Sequence, residues 1–231
     1  MKTRNLFLLC IIICICVGCN ENSPESWKNK VGGTKAVGVD LGDGLIWAEH
    51  NLGASSPEDF GCCFSWGDLR PFDKMYATNN NYCFYTEDED GNRIITKYVT
   101  KSMYGTPDYL FSLLPEDDPA TVYWGDGWRT PTMYELLHLY HKCEVRREDI
   151  NGVKGLYFTA PNGNSIYIPA NKEYGNGNKG VYWCNTLDLE MNNQADAILF
   201  RPTEDGSNRI TVASRLRTSA LGIRPVKDKA Y

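Results

Sequence analysis

The longest helical pattern in the chain runs from Thr132 to Cys143. Met133, Leu136, Leu137 and Tyr140 recur there three and four residues apart and make one apolar stripe. Thr132 followed by Glu135 is a capping box, with the hydroxyl accepting from the N3 amide and the carboxylate reaching back to the N-cap amide. This predicts a helix over about 132–143. Just before it, VYWGDGWRTP (122–131) sets Trp124 and Trp128 around a Gly-Asp-Gly turn. That arrangement delivers large aromatic anchors into a core at the point where the helix begins.

Elsewhere the chain reads as short strands. AVGVDL and LIWAEHNL flank Gly42-Asp43-Gly44, and GVKGLYFTA and NSIYIPA flank Pro161-Asn162-Gly163; both are hairpin signals. VYWCNTL, ADAILFRP, RITVAS and LGIRPV supply further strands, and FSWGDLRPF reads as strand and loop. A capping residue followed by proline predicts a helical turn at Ser56-Pro57-Glu58-Asp59 and a short helix after Asp118-Pro119. Residues 73–118 are the least regular part, and 171–180 reads as a flexible loop. The fold class predicted is α+β: short antiparallel strands, one main helix and long loops, in one domain over 35–228.

The N-terminus changes the picture from a plain globular chain to an exported one. Lys2 and Arg4 precede an unbroken apolar run from Leu6 to Val17, too short to span a bilayer comfortably. Val17-Gly18-Cys19 follows, which is where a lipoprotein signal is cut and Cys19 acylated; Cys16 stands where a leucine is usual. An ordinary secretory signal is the alternative. Residues 1–18 are expected to be removed, leaving 22 basic against 29 acidic residues, a net charge of −7. Acyl chains rather than charge would then hold the protein at an outer-membrane surface. The polar stretch 19–34 reads as a tether, with Trp27 unexplained within it.

With no basic cluster in the chain, nucleic acid is not an expected partner. The apolar share of 42% and aromatic share of 12% suffice for a packed core, in which Trp47, Trp66, Trp124, Trp128 and Trp183 are expected. Of nine cysteines, three lie in the signal and one is the anchor, leaving Cys62, Cys63, Cys83, Cys143 and Cys184. Five is odd, and the neighbours Cys62 and Cys63 sit too close for an unstrained bridge, so buried free thiols are expected.

A resemblance emerges from longer stretches. VDLGDGLIWAEHNLGA (39–54), SPEDFGCCFSWGD (56–68), LPEDDPATVYWGDGWRTPTMYEL (114–136), NGVKGLYFTAPNGNSIYIPA (151–170), VYW (181–183) and IRPV (223–226) resemble the Fibrobacter succinogenes major paralogous (FISUMP) domain, a family of secreted bacterial modules. That family is similar to C-type-lectin-like and formylglycine-generating-enzyme folds, where a WRxPT segment also opens a helix. The resemblance implies a C-type-lectin-like body and no agreed reaction. The formylglycine-generating branch binds copper through a cysteine pair shortly before the closing strand, but residues 200–222 here hold no cysteine. The family often bridges a cysteine near position 83 to one after TKY, where this chain has Val99.

Reactive constellations are weak. Glu135, His138 and His141 spread over roughly 120° of one helix face, which suits a solvated polar face as well as a metal site. Asp88-Glu89-Asp90-Gly91-Asn92 resembles the start of a calcium loop, but Thr86 and Lys97 occupy its first and twelfth positions, which reads as an acidic turn. No catalytic residue, metal ligand or cofactor is therefore assigned. Binding remains, through loops 73–95, 171–180 and 186–194. These offer Tyr76, Tyr82, Tyr85, Tyr174, Asn176, Asn178, Asn192 and Asn193 for stacking and hydrogen bonding to a glycan or protein. A structural subunit of an envelope complex is the alternative, and an enzyme on a formylglycine-generating-like scaffold a minor one.

Overall fold

A computed structural model describes residues 23–35, 37–76, 81–205 and 207–230. The signal, Cys19 and the first residues of the expected tether lie outside them, as do 77–80 of the 73–95 loop.

The first element among the described residues is a helix, α1 (Pro24–Gly32), where the sequence predicts a tether. Ser23 caps it by accepting from the Ser26 amide at 3.2 Å, Pro24 pre-sets the first turn, and Glu25 and Lys30 suit the helix dipole at its two ends. Val31 is fully buried, and its carbonyl accepts from the Trp124 indole at 3.1 Å. The polar composition conceals a docked helix because buried Val31, its carbonyl and the pairing of Lys30 with Asp73 hold it to distant segments.

Strands β1 (Gly38–Asp40), β2 (Leu45–Ala48), β3 (Cys63–Phe64), β4 (Pro71–Phe72), β5 (Tyr85–Glu87) and β6 (Arg93–Ile95) follow. A 3-10 turn at Pro115–Asp117 leads into α2 (Pro119–Trp124), then α3 (Met133–Lys142). The rest is strand: β7 (Glu144–Ile150), β8 (Val153–Thr159), β9 (Ser165–Pro169), β10 (Gly180–Leu187), β11 (Gln194–Arg201), β12 (Arg209–Leu216) and β13 (Val226–Asp228). Among the described residues, three antiparallel sheets of three strands form, ordered β1-β2-β13, β7-β8-β9 and β10-β11-β12, with two-stranded ribbons β3-β4 and β5-β6. The architecture is a mixed one of small antiparallel sheets and few helices.

Both arms of the capping box form: Thr132 accepts from the Glu135 amide, and Glu135 from the Thr132 amide. Leu136 and Leu139 are the fully buried positions of α3, so Leu139 joins the predicted stripe. Asp118 caps α2 as predicted. Ser56-Pro57-Glu58-Asp59 forms a turn and no helix, because Asp59 turns its carboxylate back onto the amides of Ser55 and Gly61. The hairpin β7-β8 turns on Asn151-Gly152, both at positive φ. The LGIRPV segment is mostly irregular and enters a strand only at Val226. The 171–180 loop, expected to be flexible, is closed by the Asn171 amide on the Lys179 carbonyl at 2.9 Å.

All five core tryptophans are buried, none more than 4% exposed. The five cysteines are free; Cys62, Cys63 and Cys184 are buried, whereas Cys143 is half-buried and Cys83 exposed. Burial pushes the Cys62 thiol up to about 11, which leaves it protonated at neutral pH. Among the described residues, Arg217 and Arg224 are fully buried and tie the last part of the chain to earlier segments. Arg224 bonds the carbonyls of Ala48, Glu49 and Tyr167 and the side chain of Asn51. Among the described residues no helix is long and apolar enough to cross a membrane.

Candidate functional site

Four separate segments enclose a concave site of about 420 Å³: the 55–61 turn, Asp73, the β7-β8 turn with Val153, and residues 170–173. Its shape begins in the 55–61 turn. Gly61 lies at φ 73°, and a Cβ there would sit 2.5 Å from the Leu52 carbonyl, so only glycine fits. Asp59 then accepts from Ser55 at 3.1 Å and from Gly61 at 3.0 Å, which leaves Glu58 at the surface. Asn151, at the hairpin tip, donates 2.7 Å to Glu58. This bond, aided by the turn itself and by nearby Lys172, holds the Glu58 carboxyl below its ordinary range.

On the opposite side, Asn171 anchors its loop through Lys179 and accepts from the Glu173 amide at 2.9 Å. Asp73 pairs with Lys30 of α1. Phe60, Val153 and Ala170 supply apolar surface, and Phe60 rests on Tyr182 with ring centres 5.3 Å apart. Four carboxylates against Lys172 make the lining acidic.

Asp73 and Glu173 lead along the chain to Tyr76 and Tyr174, whose rings meet at 4.7 Å. Arg215 donates 3.0 Å to the Tyr76 hydroxyl, and the Lys179 ammonium stands 5.7 Å from the Tyr174 ring centre. Of the residues expected to bind, the structure thus brings these two together. Asn176 is exposed at φ 58° in the same loop, and Asn178 accepts 2.7 Å from Lys154.

The remaining expected residues sit elsewhere. Tyr82 is 2% exposed; its hydroxyl donates to the Trp66 carbonyl and accepts from Arg217, so it serves the core and not a surface. Asn192 is fully buried and accepts from Thr100 and Lys101. Tyr85 is half-buried on β5, covered by Tyr82 and Arg93. Asn193 is half-buried, and its carbonyl accepts from the Arg217 amide. Long polar loops misled here because their asparagines and tyrosines satisfy buried backbone as readily as solvent.

Sequence reasoning missed Glu58, Asp73, Asn151 and Lys172. Asn151 was detectable, since Asn-Gly between strands marks an exposed hairpin tip. Glu135 of the helix triad is taken by Arg129 at 2.7 Å, while His138 and His141 are exposed. Among the described residues no three His, Cys, Asp or Glu side chains converge as a metal would need. Asp88 accepts from the amides of Asp90 and Asn92 at the β5-β6 turn.

Comparison with family models, curated proteins and solved structures finds no match.

Proposed function

We propose that this chain is a non-catalytic binding module of the bacterial cell envelope, built on a C-type-lectin-like body of the FISUMP kind and anchored through acylated Cys19. Its ligand is a neutral glycan, taken up in the acidic site between Glu58 and Glu173. The observation that carries this reading is the site's composition: carboxylate and amide acceptors surround the apolar Phe60, beside the Tyr76–Tyr174 pair. Sugars present hydroxyl donors around a ring with an apolar face, and this lining answers both. The acidic lining disfavours phosphate, sulfate and nucleic acid.

A binding role is also supported by Glu58 itself. Asn151 holds the Glu58 carboxyl below its ordinary range, so it stands ionised at neutral pH as an acceptor for sugar hydroxyls. The test is retention of the full chain on arrays of immobilised neutral and sulfated glycans. Glu58→Gln and Tyr174→Ala should each weaken a neutral-glycan interaction at least tenfold. If no neutral glycan retains the protein, or only sulfated ones do, the reading fails.

A further inference from the structure

The docking of α1 leaves little chain between the body and its proposed anchor. A flexible tether over 19–34 would give the body a root-mean-square reach of roughly 20–24 Å. With α1 beginning at Pro24 and capped by Ser23, only residues 20–22 separate Cys19 from the folded body. Four peptide units reach at most about 14 Å, whatever their conformation. A bilayer that holds Cys19 therefore lies close to the N-terminal end of α1.

A groove of about 340 Å³ opens at that same end, between α1, α2 and Leu69. Pro24, Trp27, Leu69 and Val122 give it apolar walls, and Val122 is 41% exposed. Tyr123 adds ring surface alone, because its hydroxyl is spent on the Leu69 carbonyl at 2.6 Å. Trp27 differs from the other five tryptophans, which are buried, in being half-buried. Its indole N–H meets no acceptor among the described residues. A tryptophan with an open ring and a free N–H suits a membrane–water boundary, where the ring enters the apolar side and the N–H meets headgroup oxygens. Glu25 and Lys28, three residues apart on one face of α1, stand on the rim. Neither has an ionic partner among the described residues. Together they answer a zwitterionic headgroup, phosphate on Lys28 and ammonium on Glu25.

We propose that this groove seats one zwitterionic phospholipid of the bilayer to which Cys19 is anchored, its acyl chain along Trp27 and Val122 and its headgroup between Lys28 and Glu25. The inference rests on the reading of Cys19 as acylated. The short connection favours lipid over a protein partner, because it keeps the groove at the bilayer at all times. At the far end of α1, Lys30 pairs with Asp73, so a seated lipid also fixes how the acidic site stands above the membrane.

The test uses the full chain, labelled with palmitate in bacteria and reconstituted into phosphatidylethanolamine–phosphatidylglycerol vesicles whose acyl chains carry bromine. Bromine in contact with the ring should quench Trp27 emission, so Trp27→Phe should lose at least half of the quenching seen in the wild type. Val122→Asp, and replacement of all phosphatidylethanolamine by phosphatidylglycerol, should each reduce it at least twofold. Quenching that is equal in wild type and Trp27→Phe, or that survives removal of phosphatidylethanolamine, overturns the inference and leaves the labelled anchor standing. Trp27 shielded from aqueous iodide yet untouched by bromine makes a second copy the occupant and overturns it too. Absence of the palmitate label removes the anchor, and the inference with it.

Discussion

The guanidinium of Arg217 lies 4.9 Å from the ring centre of Trp66, with no carboxylate paired to it among the described residues. Tyr82, Phe84 and Tyr98 surround the same cation at 5.4–5.7 Å. Its donors go to the Lys97, Tyr98 and Asn192 carbonyls and the Tyr82 hydroxyl. The charge is thus solvated by ring faces and backbone oxygens, and four segments are fastened at one point.

Arg217→Lys should therefore cost more than about 3 kcal/mol, because a compact ammonium reaches fewer of the four acceptors and lacks the flat face that stacks on Trp66. Arg217→Ala should leave the body unfolded at room temperature. Urea denaturation followed by tryptophan fluorescence reads both. A loss below 1 kcal/mol for the lysine variant would mean the aromatic cage tolerates any cation.

Trp128→Ala should destabilise by roughly 3–5 kcal/mol, as truncation of a large buried ring does. Trp128 is 1% exposed and packs edge-on against Trp124, with ring centres 5.6 Å apart. Its indole nitrogen is buried without a partner, so Trp128→Phe gives up no hydrogen bond and should cost clearly less. Equal losses from the two variants would place the effect on the N–H group.

Asp196 carries the sharpest pH prediction. Burial, with the Asp188 charge adding to it, pushes its carboxyl from 3.8 up to about 6. Between those values the folded protein holds a proton that the unfolded chain has released. Stability from this group is full below pH 3.8, falls as pH rises and is gone above about 6. Asp196→Asn should therefore raise stability at pH 7.5 by roughly 1 kcal/mol, allowing for a half-exposed group, or about 2–4 °C in melting temperature. The gain should vanish at pH 3.5. A pH-independent gain in thermal melts would point to packing instead.

Cys19→Ala should move the protein from the membrane fraction to the soluble fraction of lysed cells, since one acylated cysteine is the proposed anchor. Persistence in the membrane fraction would count against the lipoprotein reading.

Local patterning in this chain was enough for several features decided within a few residues, though not for Ser56–Asp59, whose cap-then-proline start gives a turn and no helix, nor for α1, whose Ser23 cap sits in a stretch that reads as a tether. The capping box at Thr132 and Glu135, the Asp-Gly turn at 42–44, the Asp118 cap and the inward tryptophans all answer to rules that act over three or four positions or to sheer apolar area. What tertiary structure decided is which polar residues face outward. Nothing near Asn192 distinguishes it from Asn176, yet one is lashed to Thr100 and the other is exposed. Helix α1 exists in its observed place because Trp124, 93 residues on in the chain, supplies the donor for Val31. The acidic site likewise joins Glu58, Asp73, Asn151 and Glu173, whose meeting is dictated by sheet register and long-range burial and by no pattern within any one of their segments.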